Sequence, residues 1–237
     1  MKIHIVSVAI AIAASTAVHS SPQTPAGITS SMFPKANHYG GIPAPEGPLA
    51  TILPELKKQA RAGVSPAHAS VYAGLSRCRA LRAYGPEETA IEYCSGVPES
   101  DIADAGSWLS AAADEGDERA MYVFSITGAQ ELRTIEITAR SKSAQLDYQS
   151  RALTYLTTLA SHCNVDAIDA IYRQKVSGGE LFVKDLPGAY ILQRELIALY
   201  PGLISADERA VVASHVSPSE VMRADAEASN FLNNRCR

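Results

Sequence analysis

The chain has 237 residues and a formal net charge of -4, and 46% of its residues are hydrophobic although only 6% are aromatic. That length suits one well-buried domain or a short array, and a core drawn mostly from Ala, Leu, Ile and Val suits close-packed helices better than a sandwich or barrel. The mildly acidic balance argues against nucleic acid as the main partner, because phosphate recognition calls for a basic stripe.

Residues 1 to 20, MKIHIVSVAIAIAASTAVHS, carry one positive residue at Lys2, an apolar run from Ile3 to Ala14, and small residues at Ser15, Ala17 and Ser20. This is the pattern of a secretory signal peptide, cleaved after Ala17 or Ser20 and without a Cys to take a lipid. The apolar run is too short for a membrane span, so no stable span is expected after cleavage. Loss of the one positive charge at Lys2 takes the formal charge from -4 to -5. Residues 21 to 47 are rich in Pro, Gly and Ser with no apolar period, and they read as a flexible leader in which His38 and Tyr39 have nothing to hold a site geometry. The folded domain is expected over 48 to 237.

Helical periodicity starts near Leu49, passes through Ile52, Leu53, Leu56 and Ala60, and stops at Gly63, a residue suited to the positive φ of a helix end. Ser65 and Pro66 read as cap and first position of a second helix, marked by Ala69, Val71, Leu75 and Cys78 and reaching about Ala83. Arg77, Arg79 and Arg82 on it read as a solvated face. A short helix follows from Pro86 through Ala90, Ile91 and Cys94, closed by Gly96 to Pro98. Its Glu87, Glu88 and Glu92 sit where a helix dipole favours acids. Ser100 or Asp101 is expected to cap one helix striped by Ile102, Ala105, Trp108, Leu109 and Ala112, with Trp108, the single Trp, as a packing anchor. After Gly116 the next helix carries Ala120, Val123, Phe124 and Leu132. It is expected to continue to about Arg140, although Thr134 to Thr138 alternates as a strand would.

A helix from Leu146 to Ser161 and a partner from Asn164 to Val176 come next, then a Gly178-Gly179 turn and a helix from Pro187 to Leu199 stopped by Pro201-Gly202. Two last helices each show a capping box, Ser205 with Glu208 and Ser217 with Glu220. The second ends near Leu232. With Arg223, Asp225 and Glu227 on its outer side, this pair suits a terminal cap that covers the last apolar face of an array.

One spacing recurs. At minus seven, minus three, plus four and plus eight from Gly116 stand Leu109, Ala113, Ala120 and Phe124. Around Gly63 the same offsets hold Leu56, Ala60, Ala67 and Val71, and around Cys163 they hold Leu156, Ala160, Ala167 and Ile171. These offsets place the marked residues on one face of each of two helices, with Ala where the helices approach closely. Three copies of one hairpin predict an all-α chain, an α/α solenoid of antiparallel helix pairs with a terminal capping pair.

The series Asp101, Ala105, Trp108, Leu109, Ala112, Ala113 and Gly116 resembles the Sel-one-like repeat, a relative of the tetratricopeptide repeat. A second partial match runs from Tyr172 through Gly178, Gly179, Val183, Asp185, Ala189 and Tyr190, and residues 56 to 72 match more loosely. The resemblance implies an α/α superhelix that serves as an interaction adaptor, often in secreted or periplasmic bacterial proteins. The chain departs from the family pattern in two ways. Its turn markers at 63, 116 and 163 are 53 and 47 residues apart, beyond the usual repeat of about forty, which implies insertions near 86 to 99 and 128 to 146. Cys163 also stands where the turn Gly belongs.

All four cysteines, Cys78, Cys94, Cys163 and Cys236, follow the signal and would meet an oxidising compartment. Two disulfides are expected. Of the three possible pairings the favoured one joins Cys78 to Cys94 across the Tyr84-Gly85-Pro86 turn and Cys163 to Cys236, tying the last helix back onto the array; the other two stay open. His162 beside Cys163 is the only close Cys/His pair, which is weak as a metal site.

The sequence has no Gly-rich phosphate loop, no His-Glu-x-x-His and no Gly-x-Ser-x-Gly. His68, His162 and His215 fall in predicted helices with no acid or nucleophile at a suggestive spacing. Neither a catalytic residue nor a cofactor nor a metal is therefore expected. The leading expectation is a non-catalytic periplasmic or secreted scaffold whose concave face, lined by the first helix of each pair, binds a protein or peptide segment. The alternative is a cell-envelope enzyme or accessory protein acting on peptidoglycan or a related ligand.

Overall fold

The computed structural model describes residues 32 to 38, 41 to 135 and 142 to 237, without the side chains of 128 to 135. The expected signal peptide, Tyr39, and the helical continuation from 136 to Arg140 lie outside the described residues. Eleven α-helices are found among the described residues: α1 (Leu49–Arg61), α2 (Ala67–Tyr84), α3 (Glu87–Cys94), α4 (Glu99–Ala103), α5 (Ala105–Asp114), α6 (Glu118–Ile135), α7 (Lys142–Ser161), α8 (Val165–Ser177), α9 (Leu186–Leu199), α10 (Ala206–Ala213) and α11 (Pro218–Phe231). A π-helical turn, Leu232–Cys236, ends the chain. The one β feature among the described residues is an isolated parallel bridge between Asn37 and Asn164.

Three hairpins, α1 with α2, α5 with α6 and α7 with α8, turn in the same way. Gly63, Gly116 and Cys163 have φ of 70°, 86° and 63°. Each donates its N–H to the carbonyl three residues back, on Ala60, Ala113 and Ala160, at 2.9, 3.1 and 3.0 Å. The next N–H, of Val64, Asp117 and Asn164, reaches five residues back at 3.0, 3.1 and 3.0 Å. This pair of bonds satisfies carbonyls that the helix end leaves open and requires a left-handed residue between them. Glycine adopts that geometry freely, whereas a β-carbon at Cys163 costs about 1–2 kcal/mol.

The apolar markers point into the contacts these turns create. Leu109, Ala113, Ala120, Phe124, Leu156, Ala167 and Ile171 are buried, as are Ala60, Ala67 and Val71, while Leu56 and Ala160 are half-buried. The closest packings are α1 on α2, α5 on α6, α6 on α7, α7 on α8 and α8 on α9 between consecutive helices, and α2 on α5 and α9 on α11 across the intervening short ones. Leu49, Leu75, Leu109, Phe124 and Leu156 build a first core, and Ile168, Tyr172, Leu196, Leu199 and Val212 a second. Ala160 and Leu192 pack against both, so the third hairpin joins the two.

Several local expectations need correction. Ser65 does not cap α2, which starts at Ala67 behind Pro66 with no side-chain cap bond; the Ala67 N–H goes to the Val64 carbonyl at 2.8 Å. Neither Ser100 nor Asp101 caps the following helix. It starts at Glu99 behind Pro98 and is interrupted at Asp104, where the chain tightens into three-residue bonds from Asp104 N to the Asp101 carbonyl and from Ser107 N to the Asp104 carbonyl. The long interval before the second turn contains α3 and α4, and the interval before the third is largely taken up by the lengths of α6 and α7. Trp108 packs against the first core but is only half-buried, and its buried Nε1–H has no acceptor among the described residues.

Asn164 caps α8 by accepting from Ala167 N at 2.8 Å, and Asp185 caps α9 by accepting from Gly188 N at 2.9 Å. Ser205 accepts from Glu208 N at 3.2 Å. At Ser217 and Glu220 both reciprocal bonds of the box form. On α11, Arg223 and Glu227 are exposed and pair at 3.6 Å, while Asp225 accepts from Arg194 of α9 at 2.6 Å.

Parts of the stretch read as a flexible leader are packed. Phe33 is 5% exposed within the second core, and Ile42 lies against the first. Tyr93 donates its hydroxyl to the Pro45 carbonyl at 3.0 Å. Ala113 sits at the α5–α6 turn with 1% exposure, so Ala113→Leu overpacks that contact. A loss of about 1–3 kcal/mol is expected, read as a fall in Tm by circular dichroism; an unchanged Tm would show that the contact has room.

Candidate functional site

Both expected cysteine pairs are within bonding distance. Cys78 and Cys94 lie 5.5 Å apart at Cα and join α2 to α3, and Cys163 and Cys236 lie 5.4 Å apart and join the third turn to the chain end. The second pair is also where the segment from 32 to 38 attaches. Lys35 N donates to the Cys236 carbonyl at 3.1 Å, Asn37 N to the Cys163 carbonyl at 3.2 Å, and Val165 N to the Asn37 carbonyl at 2.9 Å. Asn164 Nδ2 adds a bond to Asn37 Oδ1 at 2.8 Å. The backbone polar groups beside the buried disulfide are satisfied by this strap.

Three histidines have acidic partners that their sequence neighbourhood does not reveal. His68 in α2 has Nδ1 at 2.9 Å from Glu115, His162 at 3.1 Å from Glu118, and His38 at 3.3 Å from Asp166. These pairs run along the turn edge, from the first hairpin to the second, the second to the third, and the third to the strap. The partners are separated by 47, 44 and 128 residues. His162 and His215 lie in turns after α7 and α10 and not in helices as expected. His68 also stacks at 5.6 Å on Trp108. On the other side of the second hairpin, Arg151 of α7 reaches Asp114 and Ser110 Oγ of α5, each at 2.8 Å, with its guanidinium 4.7 Å from the Phe124 ring centre.

A cavity of about 520 Å³ opens between α6, α7, α8 and the loop after α8. Tyr122, Ser125 and Ile126 come from α6, Tyr148 from α7, and Asp169, Ala170, Arg173 and Gln174 from α8, while residues 179 to 181 form the rim. Gln174 shapes that rim, because its Oε1 accepts from Leu181 N at 3.1 Å and Phe182 N at 3.3 Å. A β-carbon at position 179 would stand 2.7 Å from the same Oε1, so Gly179 permits the close approach.

Helical spacing puts Arg173 one turn beyond Asp169, and its Nε donates to Asp169 Oδ2 at 2.7 Å. The guanidinium also stands 3.8 Å from Glu208. The other oxygen, Asp169 Oδ1, is buried with no hydrogen-bond donor among the described residues. Burial raises the Asp169 carboxyl above its ordinary range, Arg173 pulls it back, and Glu208 and Asp166 push it up again. Tyr122 is pushed up to about 12, first by burial and then by the charges of Asp166 and Asp169. Ser125 donates its hydroxyl to the carbonyls of Met121 and Ala152 at 2.8 and 3.2 Å, and Tyr148 donates to the Ser125 carbonyl at 3.0 Å. Both hydroxyl protons are thus committed inside the protein, and the lining holds neither histidine nor cysteine.

A smaller cavity of about 370 Å³ lies between α2 and α3. Its cation, Arg82, is occupied by the carbonyls of Cys94 and Val97 and by Glu99. Asp185, marked in the sequence as part of a repeat, caps α9 and pairs with Lys175 at 2.6 Å, which together with the Gly188 N–H lowers its carboxyl pKa. Ala189 is fully buried in the second core.

No family model matches the chain, and neither a curated protein nor a solved structure matches it.

Between α9 and α11 lies a group that composition and spacing gave no reason to single out. Glu195 is 5% exposed, and burial together with the charge of Glu227 pushes its carboxyl up to about 8. The fold therefore holds a proton that the unfolded chain loses near pH 4.5. Stability from this group is full at low pH, falls as pH rises from about 4.5 to 8, and levels off above that. Glu195→Gln is expected to stabilise the protein by about 1–3 kcal/mol at pH 8, with little change at pH 4, as read from denaturant midpoints at both pH values.

Proposed function

We propose that this chain is a helical-repeat binding scaffold that works in the periplasm or outside the cell, and that its ligand is a segment of another protein. The observation that carries the reading is the recurrence of one turn geometry at Gly63, Gly116 and Cys163, with the same two bonds and with flanking markers that are buried except for the half-buried Leu56 and Ala160. Units of this kind bury their apolar faces against neighbours, and packing of each hairpin on the next supports an α/α superhelix closed by α10 and α11. Such arrays offer extended surfaces suited to a chain segment. Export is supported by the N-terminal pattern and by the paired cysteines, which persist in oxidising compartments. No helix among the described residues is long and apolar enough to cross a membrane. The Sel-one-like motif points to the same adaptor role.

The test is a crosslinking pull-down from the native cell envelope with the mature chain from Ser21 and intact disulfides. One recurrent protein partner is expected, and its recovery should fall at least tenfold when the disulfides are reduced. Recovery of glycan fragments or small molecules alone would overturn the scaffold reading.

A further inference from the structure

Cys236 sits in a polar stretch that faces solvent, with Asn234, Arg235 and Arg237 exposed around it. Cys236 itself is nevertheless 0% exposed, as is Cys163. Part of that cover comes from the strap. Phe33 belongs to the same apolar cluster as both cysteines, and Ala36 packs against it. The strap also bonds to the backbone on each side of the disulfide, through Lys35 N to the Cys236 carbonyl and Asn37 N to the Cys163 carbonyl. The bridge between Asn37 and Asn164 and the contact of His38 with Asp166 fix its other end at the start of α8. The second disulfide is placed differently. Cys94 borders the cavity of about 370 Å³ between α2 and α3, so solvent reaches its surroundings without any movement of residues 33 to 38.

We infer that residues 33 to 38 form a lid over the disulfide between Cys163 and Cys236, and that undocking of this strap is the step that admits a thiol to it. Reduction proceeds by attack of a thiolate on a disulfide sulfur, so access controls its rate. The thiolate of a dithiol bonds to one sulfur, and the other cysteine leaves as a thiolate. The second sulfur of the dithiol then displaces the first cysteine. The dithiol ends oxidised to a cyclic disulfide, and the protein, having taken up two electrons and two protons, holds two thiols. With the strap docked both cysteines are sealed and the attack has no path. The strap is also the element that moves most readily. It is held by one buried aromatic ring, a few backbone bonds and one His–acid contact, whereas α8 is packed on both α7 and α9. Breaking the bond releases Cys163 from one of the ties that hold its left-handed conformation, so the lid couples the redox state of a single bond to the third hairpin.

The experiment treats the mature chain, in which every cysteine starts paired, with dithiothreitol and follows each pair by differential alkylation and mass spectrometry. Phe33→Ala removes the anchor of the lid. It should speed reduction of Cys163 with Cys236 about tenfold or more, while reduction of Cys78 with Cys94 and the helical circular dichroism signal stay unchanged. Phe33→Leu should restore most of the protection. An unchanged rate at Cys163 and Cys236 in folded Phe33→Ala, or equal acceleration of both pairs, would overturn the lid. If Phe33→Ala does not fold, the unaltered chain decides. One opening event should expose both the disulfide and the amide protons that hold the strap. The factor by which folding slows reduction of this pair should therefore match, within about tenfold, the hydrogen-exchange protection of the Asn37 and Val165 amides. Disulfide protection well below theirs would mean that a thiol enters with the strap docked, and protection well above theirs that a larger opening is needed; either result overturns the inference.

Discussion

Each of the three hairpins depends on one backbone residue held at positive φ between two helices. At Gly63 and Gly116 this costs nothing sterically, and the two bonds that close the helix end bring the next helix back against the first. Residues three before and four after the turn then face one another at close range, which is why those positions carry Ala. The buried Leu, Val, Phe and Ile one turn further out complete the contact. Packing of α2 on α5 and of α6 on α7 extends the arrangement from one hairpin to the next.

At the third turn the same constraint falls on Cys163, whose β-carbon makes the left-handed conformation unfavourable by itself. The surroundings hold it there. Its side chain is joined to Cys236, its carbonyl accepts from Asn37, and it is fully buried in the second core. A turn that is local at Gly63 and Gly116 thus becomes at Cys163 a junction of the third hairpin, the chain end and the strap from 32 to 38.

The cavity is a consequence of where α8 stands. Asp169 and Arg173 share one face of that helix, and the loop bonded to Gln174 folds back over them, so that Asp169 is withdrawn from water while Arg173 stays partly exposed. A carboxylate in this position has its charge balanced on one oxygen only. That imbalance, more than the cavity's volume, distinguishes this site from the one at Arg82, where the charge is answered by two carbonyls and a carboxylate.

Local interactions made much of the fold legible. The positions of the turns, the alternation of helices and the caps at Ser205 and Ser217 depend on neighbours within a few residues, and the expectation of two disulfides on a simple count of cysteines. The misreadings at Ser65 and at Ser100 or Asp101 arose where a plausible capping residue stood near a turn whose backbone bonds were already satisfied otherwise. Tertiary structure decided everything that joins distant parts of the chain: the His–acid pairs, the docking of Phe33 and Asn37, and the burial of Glu195. Asp169 and Arg173 could be seen as an ordinary helical ion pair in the sequence, but the desolvation that leaves one oxygen without a donor exists only once α6, α7 and the rim surround them. Sequence by itself determined the helices and their turns, because backbone sterics and side-chain periodicity act locally. Only the tertiary structure decided the charge environment of the cavity, because burial is a property of the surroundings and not of the residue.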